Sequence, residues 1–138
     1  PFRCYLDTQQ WLSAAAVENG LATRALILID ARTPERYAGL QEPIDPVAGH
    51  VPKAVNRPFQ ANLAKNGLFL PAGPLKTEFL TLIKSHAPEQ VVHMCGSGVT
   101  ACHNLLAMEA AGLCGSKLYA GSWSEWITDK NRAVAKSA

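Results

Sequence analysis

Several features are scarce or missing in this sequence of 138 residues. Charged residues make up 17%, and a formal net charge of +2 without any basic run argues against nucleic-acid or membrane partners. The longest unbroken aliphatic run, residues 26–29, is far shorter than the roughly 20 residues that a membrane span requires. No signal peptide opens the chain, which begins at Pro1 without an initiator Met, as expected for a fragment or a processed product.

The cysteines lack any C-x-x-C pair, and the four histidines show no metal-binding spacing with them. Hydrophobic residues make up 48% of the chain, enough for a core that needs no disulfides. We therefore expect free thiols in a reducing compartment, a cytoplasmic location, and neither a metal nor a cofactor. The four cysteines are Cys4, Cys95, Cys102 and Cys114.

Short apolar runs alternate with amphipathic stretches along the chain, which predicts an α/β domain with a mostly parallel sheet. Buried strands are predicted at residues 25–29, 91–94 and 117–119, with an edge strand at residues 4–6. Helices are predicted at residues 9–18 (capped by Thr8 and stopped by Asn19 and Gly20), from Thr33 onward, and at residues 74–85, 99–111 and 122–128.

A glycine-rich loop containing Cys95 lies between a predicted buried strand and a predicted helix. Ligands of parallel sheets bind beyond the carboxyl ends of the strands, so Cys95 stands where chemistry is expected. Gly96 and Gly98 are expected to adopt positive φ angles and to turn backbone N–H groups inward. These amides and the helix N-terminus favour a negatively charged sulfur, which predicts a nucleophilic Cys95.

This loop has two other interpretations. Cysteine-dependent phosphatases use a similar loop, but they need an arginine six residues after the cysteine, where this chain has Ala101. No arginine occurs between Cys95 and Tyr119, which disfavours phosphoryl transfer. The second alternative is a buried cysteine that only fills the end of a strand.

The loop resembles the active-site loop of tandem rhodanese proteins, the thiosulfate and 3-mercaptopyruvate sulfurtransferases. The resembling loop sequence is CGSGVTAC at residues 95–102. Further landmarks of that family follow in order: DAR at 30–32, ERY at 35–37, EP at 42–43, GHVP at 49–52, AVN at 54–56, PF at 58–59 and LYAGSWSEW at 118–126.

The resemblance implies a rhodanese-like fold, with a five-stranded, mostly parallel sheet flanked by helices. It implies that residues 1–138 form a single rhodanese domain, the catalytic half of a tandem protein whose N-terminal partner half is absent from this chain. Cys95 would take the outer sulfur of a small anionic donor, thiosulfate or 3-mercaptopyruvate, as a persulfide. The sulfur would then pass to cyanide, a thiol or a thioredoxin-like acceptor.

The same resemblance assigns roles to other residues. Arg36 would bind the anionic end of the donor, and Asp30 would hold the loop and that arginine in place. Arg57 is a further candidate for a substrate-binding charge, although both arginines could equally be surface charges. The remaining substrate-binding candidates are the loop residues Gly96, Ser97, Gly98, Val99 and Thr100, and Ser97 is also a candidate for assisting proton transfer.

The sequence does not decide whether the sulfur donor is thiosulfate or 3-mercaptopyruvate. The mercaptopyruvate branch usually has a second arginine after its Glu-Pro pair, where this chain has Ile44. The thiosulfate branch often has basic residues directly after the cysteine, whereas Gly96 and Ser97 are neutral. A non-catalytic rhodanese interaction module and a persulfide carrier are the alternative functions.

Three residues near the loop are expected to have a structural role or only a minor role in the site. Cys102 is predicted to lie on the core face of its helix, at helical spacing with Val99, Leu106 and Ala110. His93 is predicted to be a hydrogen-bonded core residue. His103 is a minor candidate for facing the site from the first turns of the helix.

Overall fold

Four parallel strands form one sheet in the computed structural model, which describes residues 1–137. The strands are β1 (Ile27–Asp30), β2 (Val55–Asn56), β3 (Val91–Met94) and β4 (Lys117–Leu118). Their order across the sheet is β2-β1-β3-β4. The predicted α/β class and parallel sheet are therefore confirmed.

The predicted count of five strands is wrong, because the described residues form four. Residues 4–6 are exposed and lie outside any strand. Instead, Trp11 forms a single parallel bridge with Leu118, and the Leu12 N–H donates to the Leu118 carbonyl at 2.9 Å. This one pairing continues the sheet beyond β4 without building a full strand.

Side chains of the two central strands alternate between two hydrophobic layers. Leu28 and Val92 point into one layer, whereas Ile29 and Val91 point into the other. All eight residues of β1 and β3 are buried, as expected for strands covered by helices on both faces. Because helices cover both faces of the sheet, a ligand can reach it only at the ends of its strands.

Five α-helices cover the two faces of the sheet. They are α1 (Ala14–Thr23), α2 (Pro34–Ala38), α3 (Ala72–Ile83), α4 (Val99–Ala110) and α5 (Ser122–Trp126). Residues of α1 and α5 share one hydrophobic layer, and residues of α3 and α4 share the other. No helix among residues 1–137 has the length and apolarity needed to cross a membrane.

The predicted helix at residues 9–18 begins and ends later than expected. Residues Thr8–Gln10 form only a short 3₁₀ turn, and α1 is capped by Ser13, whose Oγ accepts the Ala16 N–H at 3.2 Å. The helix continues through Gly20, where a side chain would collide with Leu26. This glycine permits close packing and does not stop the helix.

Helix α4 turns a different face to the core than the sequence predicts. Val99 and Leu106 are 73% and 55% exposed, and Cys102 is exposed as well. The buried residues of α4 are Ala101, Asn104, Ala107 and Met108. These four residues form the buried face of the helix, so the prediction that Cys102 lies on the core face is wrong.

The segment between α2 and β2 is tied down by the last residues of the described chain. His50 and Ala135 exchange two backbone hydrogen bonds of 2.8 and 2.9 Å, and the Ser137 N–H donates to the Ala38 carbonyl at 3.2 Å. Residues 40–48 between these ties carry Glu42 and Asp45. Both of these carboxylates belong to the site described next.

Candidate active site

Cys95 follows β3 directly and stands at the carboxyl end of the sheet. Its residue is only 2% exposed, yet it lines a pocket open to solvent. The Gly98 N–H donates to Sγ of Cys95 at 3.0 Å. Hydrogen bonds from backbone amides stabilise negative charge on sulfur, so this sulfur lies in an environment suited to a nucleophile.

The structure brings most of the predicted site residues together around this pocket. Besides Cys95, those that line it are Arg36, Gly96, Ser97, Val99 and Thr100. Three further residues also line it, namely Ile44, Asp45 and Ser124. Ile44 and Asp45 directly follow the EP motif at 42–43, and Ser124 lies in the motif at 118–126. The sequence alone did not predict a role for these three residues in the pocket.

The two loop glycines serve different purposes. Gly98 has a φ of +89°, and a Cβ there would lie 2.6 Å from the Ala120 carbonyl oxygen, so only glycine fits. Gly96 does not adopt a positive φ, which corrects the prediction for that residue. A Cβ on Gly96 would lie 3.4 Å from both Nη atoms of Arg36. That distance is an ordinary van der Waals contact, so the guanidinium of Arg36 lies directly against the loop at Gly96.

Arg36 extends from α2 and is held by two carboxylates. Its Nε donates to both carboxylate oxygens of Glu42 at 3.1 and 3.2 Å, and its Nη2 donates to Glu42 at 2.7 Å. Nη2 also lies 3.3 Å from Oδ2 of Asp45. Nη1 makes no hydrogen bond within residues 1–137, which leaves it available to an anion in the pocket.

A buried ionic chain connects Asp30 to this arginine. Arg32 donates to Asp30 through Nε and Nη2, with a shortest distance of 2.7 Å, and its Nη1 lies 3.3 Å from Glu42. Asp30 thus does not contact Arg36, and it acts on it only through Arg32 and Glu42. These two linking residues lie inside motifs that the sequence analysis quoted, but their roles were missed.

Glu42 is the centre of this chain. Burial alone would raise the pKa of Glu42, but hydrogen bonds from Arg36 and from the backbone N–H groups of Asp45 and Ile44 lower it below its ordinary value. Glu42 is therefore ionised at neutral pH and keeps both arginines in fixed orientations.

The segment that opens α5 closes the other side of the loop. Ser122 accepts the Cys95 N–H, and the Trp123 N–H donates to the Cys95 carbonyl at 3.0 Å. The Ser124 N–H donates to the Gly96 carbonyl at 2.9 Å, and its hydroxyl reaches Asp45 Oδ1 at 2.9 Å. The backbone N–H and carbonyl of Cys95 and the carbonyl of Gly96 are thus all hydrogen-bonded to residues of α5.

Arg57 is not brought to the pocket. Its Nε donates to Asn62 at 2.8 Å, its Nη2 donates to Glu78 at 2.9 Å, and its guanidinium lies 4.3 Å from the ring centroid of Phe79. These partners hold the side chain against α3, outside the pocket that contains Cys95, so the structure does not bring this predicted site residue together with the others.

Neither histidine near the loop lines the pocket. Both ring nitrogens of His93 lack a hydrogen-bond partner among the described residues, so the prediction of a hydrogen-bonded core residue is wrong. Burial lowers the pKa of His93 to about 3, which keeps the ring neutral. His103 packs against Phe59 and Phe69, and its Nδ1 lies 3.1 Å from Nδ2 of Asn62.

The assembled groups suit attack by sulfur on a small anion. One sulfur accepts an amide hydrogen bond at the base of the pocket, and one guanidinium stands beside the loop with a free nitrogen. The position where phosphatases place their arginine holds Ala101, which is fully buried under the loop. That arginine of the phosphate clamp is therefore missing from this site.

Comparison with known proteins gives matches along most of the chain. The rhodanese-like domain family matches residues 9–129. A probable 3-mercaptopyruvate sulfurtransferase of Pseudomonas aeruginosa is 48% identical over 129 residues, 94% of this chain and 45% of the relative. A putative thiosulfate sulfurtransferase of Mycobacterium tuberculosis, SseB, is 42% identical over 79% of this chain and 38% of the relative. The chain spans less than half the length of these curated relatives.

Solved structures show the same fold at lower identity. The crystal structure of the Tum1 protein from Saccharomyces cerevisiae superposes with a TM-score of 0.76 and 24% identity, covering 93% of this chain and 47% of that one. The wild-type structure of EanB superposes with a TM-score of 0.81 and 14% identity, covering 94% and 32% respectively. Because the family match extends over most of the sequence, and because the fold agrees with it, this chain belongs to the rhodanese-like domain family.

Proposed function

We propose that this chain is a sulfurtransferase domain that carries sulfur as a persulfide on Cys95. The observation that supports this most is the Gly98 amide on Sγ of Cys95, at the base of a pocket that also contains Arg36. The names of the P. aeruginosa and M. tuberculosis relatives point to the same reaction class. We further propose that the chain corresponds to the cysteine-bearing half of such tandem proteins, and that it works in a reducing compartment such as the cytoplasm.

The first half-reaction transfers sulfur to the cysteine. The Cys95 thiolate attacks the outer sulfur of thiosulfate, a new S–S bond forms, and sulfite leaves with the electron pair of the bond that breaks. With 3-mercaptopyruvate the C–S bond breaks instead, the carbon keeps the electron pair, and the donor's own thiol proton completes pyruvate. Free Nη1 of Arg36 and the loop amides bind the donor's negative charge in both cases.

The second half-reaction restores the cysteine. Cyanide attacks the outer sulfur of the persulfide, the S–S bond breaks, and thiocyanate leaves while Cys95 recovers the electron pair as thiolate. A thiol or a thioredoxin-like protein would accept the sulfur in the same manner. The amide of Gly98 stabilises the thiolate that is restored when the S–S bond breaks.

Intact mass spectrometry tests the proposal directly. After incubation with thiosulfate or 3-mercaptopyruvate, we expect the wild type to gain one sulfur atom, roughly 32 Da, which cyanide then removes. The Cys95→Ser variant retains the three exposed thiols and should gain none. The Cys102→Ser variant is the matched control and should load sulfur like the wild type.

Three results would point elsewhere. Equal sulfur uptake by the Cys95→Ser variant would place the reaction on an exposed thiol and contradict the proposal. No uptake by the wild type from either donor would favour a non-catalytic interaction module. Hydrolysis of p-nitrophenyl phosphate would favour the phosphatase alternative.

A further inference from the structure

The pocket around Cys95 contains a carboxylate that no step above uses. Asp45 lines the pocket, and its side chain is 9% exposed. Its Oδ2 lies 3.3 Å from Nη2 of Arg36, and its Oδ1 accepts the Ser124 hydroxyl at 2.9 Å. A negative charge therefore stands beside the one guanidinium that faces the cysteine.

Asp45 competes with a donor for Arg36. A guanidinium has five N–H donors, and Glu42 already binds the edge formed by Nε and Nη2. An anion that grips the guanidinium with two parallel hydrogen bonds needs the remaining edge, formed by Nη1 and Nη2. Asp45 engages Nη2, so an incoming anion finds only Nη1 without competition.

The local charge balance reinforces this competition. The ionic chain joins two guanidinium groups, Arg32 and Arg36, to three carboxylates, Asp30, Glu42 and Asp45. Negative charges in this ionic chain thus outnumber positive charges by one. A donor with two negative charges meets about twice the repulsion from Asp45 that a donor with one charge meets.

Asp45 has hydrogen-bond partners at both its backbone and its side chain. Its backbone N–H donates to Oε1 of Glu42 at 3.2 Å. The hydroxyl of Ser124 lies 2.9 Å from Asp45 and 2.8 Å from the Gly96 carbonyl, within reach of both acceptors. The carboxylate is therefore held by the segment that closes over the cysteine loop.

We propose that Asp45 is a specificity-determining residue, which selects singly charged sulfur donors, such as a 2-oxo acid thiol, over the dianion thiosulfate. The inference rests on the proposed sulfur transfer through Cys95 and specifies the substrate class of that site. Glu42 cannot play this part, because both of its oxygens are consumed in holding Arg32 and Arg36.

The test compares kcat/KM for thiosulfate and for 3-mercaptopyruvate in the full chain, with cyanide as the common acceptor. Asp45→Asn removes the charge and keeps an oxygen acceptor for Ser124. We expect it to raise kcat/KM for thiosulfate about fivefold or more, mainly through a lower KM, and to raise the value for mercaptopyruvate only by about the square root of that factor, because a single charge meets half the repulsion. Asp45→Ser, a smaller neutral residue, should shift the donor ratio in the same direction.

Glu109→Gln is the matched control, because Glu109 is exposed near the far end of α4. It removes the same charge about 15 Å along the helix, beyond the Debye length at physiological salt, so the donor ratio should not change. An unchanged ratio in both Asp45 variants, or an equal loss with both donors, would overturn the inference while sulfur loading persists. Absence of sulfur loading in the wild type would instead contradict the proposed function.

Discussion

The backbone N–H of Cys95 donates a hydrogen bond to Oγ of Ser122 at 3.1 Å, and the same hydroxyl donates to the Tyr119 carbonyl at 2.9 Å. All of these groups are buried. Ser122 also has a φ of +55°, in the left-handed region that favours glycine. A serine in this conformation links the Cys95 loop to the segment that closes the pocket.

Replacing Ser122 by alanine should destabilise the chain. The buried amide of Cys95 would lose its partner, which costs about 1–3 kcal/mol. We expect a matching decrease in the free energy of unfolding measured with urea. Ser116→Ala is the control, because the buried hydroxyl of Ser116 has no partner among the described residues and its removal should cost little. Equal losses in the two variants would contradict the role given to Ser122.

Gly98→Ala should disturb the loop more than a positive φ alone explains. A left-handed alanine costs roughly 1–2 kcal/mol, and the added Cβ would also meet the Ala120 carbonyl oxygen at 2.6 Å. Gly112→Ala is the matched control, because Gly112 has a φ of +76° and open space where the Cβ would stand. We expect the larger loss of stability, and loss of sulfur loading, only in Gly98→Ala. Similar unfolding midpoints in the two variants would show that the close approach to Ala120 carries no cost.

Sequence patterns predicted the elements that contain the site better than they predicted the packing of those elements. The strand before Cys95 and the helix after Gly98 were both predicted, because an apolar run followed by two glycines leaves few alternatives. The core face of α4 was predicted wrongly. Val99 and Leu106 follow a helical spacing, but so do the buried residues Ala101, Asn104 and Met108.

The ionic chain behind Arg36 could not be predicted for a different reason. The two arginines, Arg32 and Arg36, lie in a different segment from the carboxylates Glu42 and Asp45, and only the tertiary fold shows that their side chains meet. Arg57, in contrast, was predicted to lie in the site, and the tertiary fold places it elsewhere. It follows a strand at the same edge of the sheet, but hydrogen bonds to Asn62 and Glu78 turn it toward α3.

Arg36 and Arg57 should therefore respond differently to the loss of their charge. Arg36→Met removes the guanidinium that stands beside the loop, so we expect the KM for both donors to rise about tenfold or more, the worth of one charge-assisted hydrogen bond. Arg57→Met should leave the KM unchanged, because Arg57 lies outside the pocket. Steady-state kinetics with cyanide as acceptor measure both values. If Arg57→Met were fully folded and still had a higher KM, Arg57 would have a role in binding the donor.

His93 should make stability depend on pH. Its pKa is about 3 in the folded chain and about 6.5 when unfolded, so the unfolded chain binds more protons between these values. Stability contributed by the neutral ring is complete above pH 6.5 and is lost progressively as the pH falls toward 3. From pH 7.5 to 5.0, we expect the wild type to lose about 2 kcal/mol more than His93→Leu in urea unfolding.

The other three histidines are present in both proteins and cancel in this comparison. Parallel pH curves for the wild type and His93→Leu would show that His93 is protonated equally in the folded and unfolded states.

The contrast between buried Cys95 and the exposed Cys4, Cys102 and Cys114 makes reagent size decisive for any thiol chemistry on this protein. Bulky maleimides should label three positions on the folded chain and a fourth only after denaturation. Donors of a few atoms can enter the pocket and reach the fourth sulfur without unfolding. Blocking the outer three with a large reagent would thus leave a protein whose single remaining thiol reports on the loop alone.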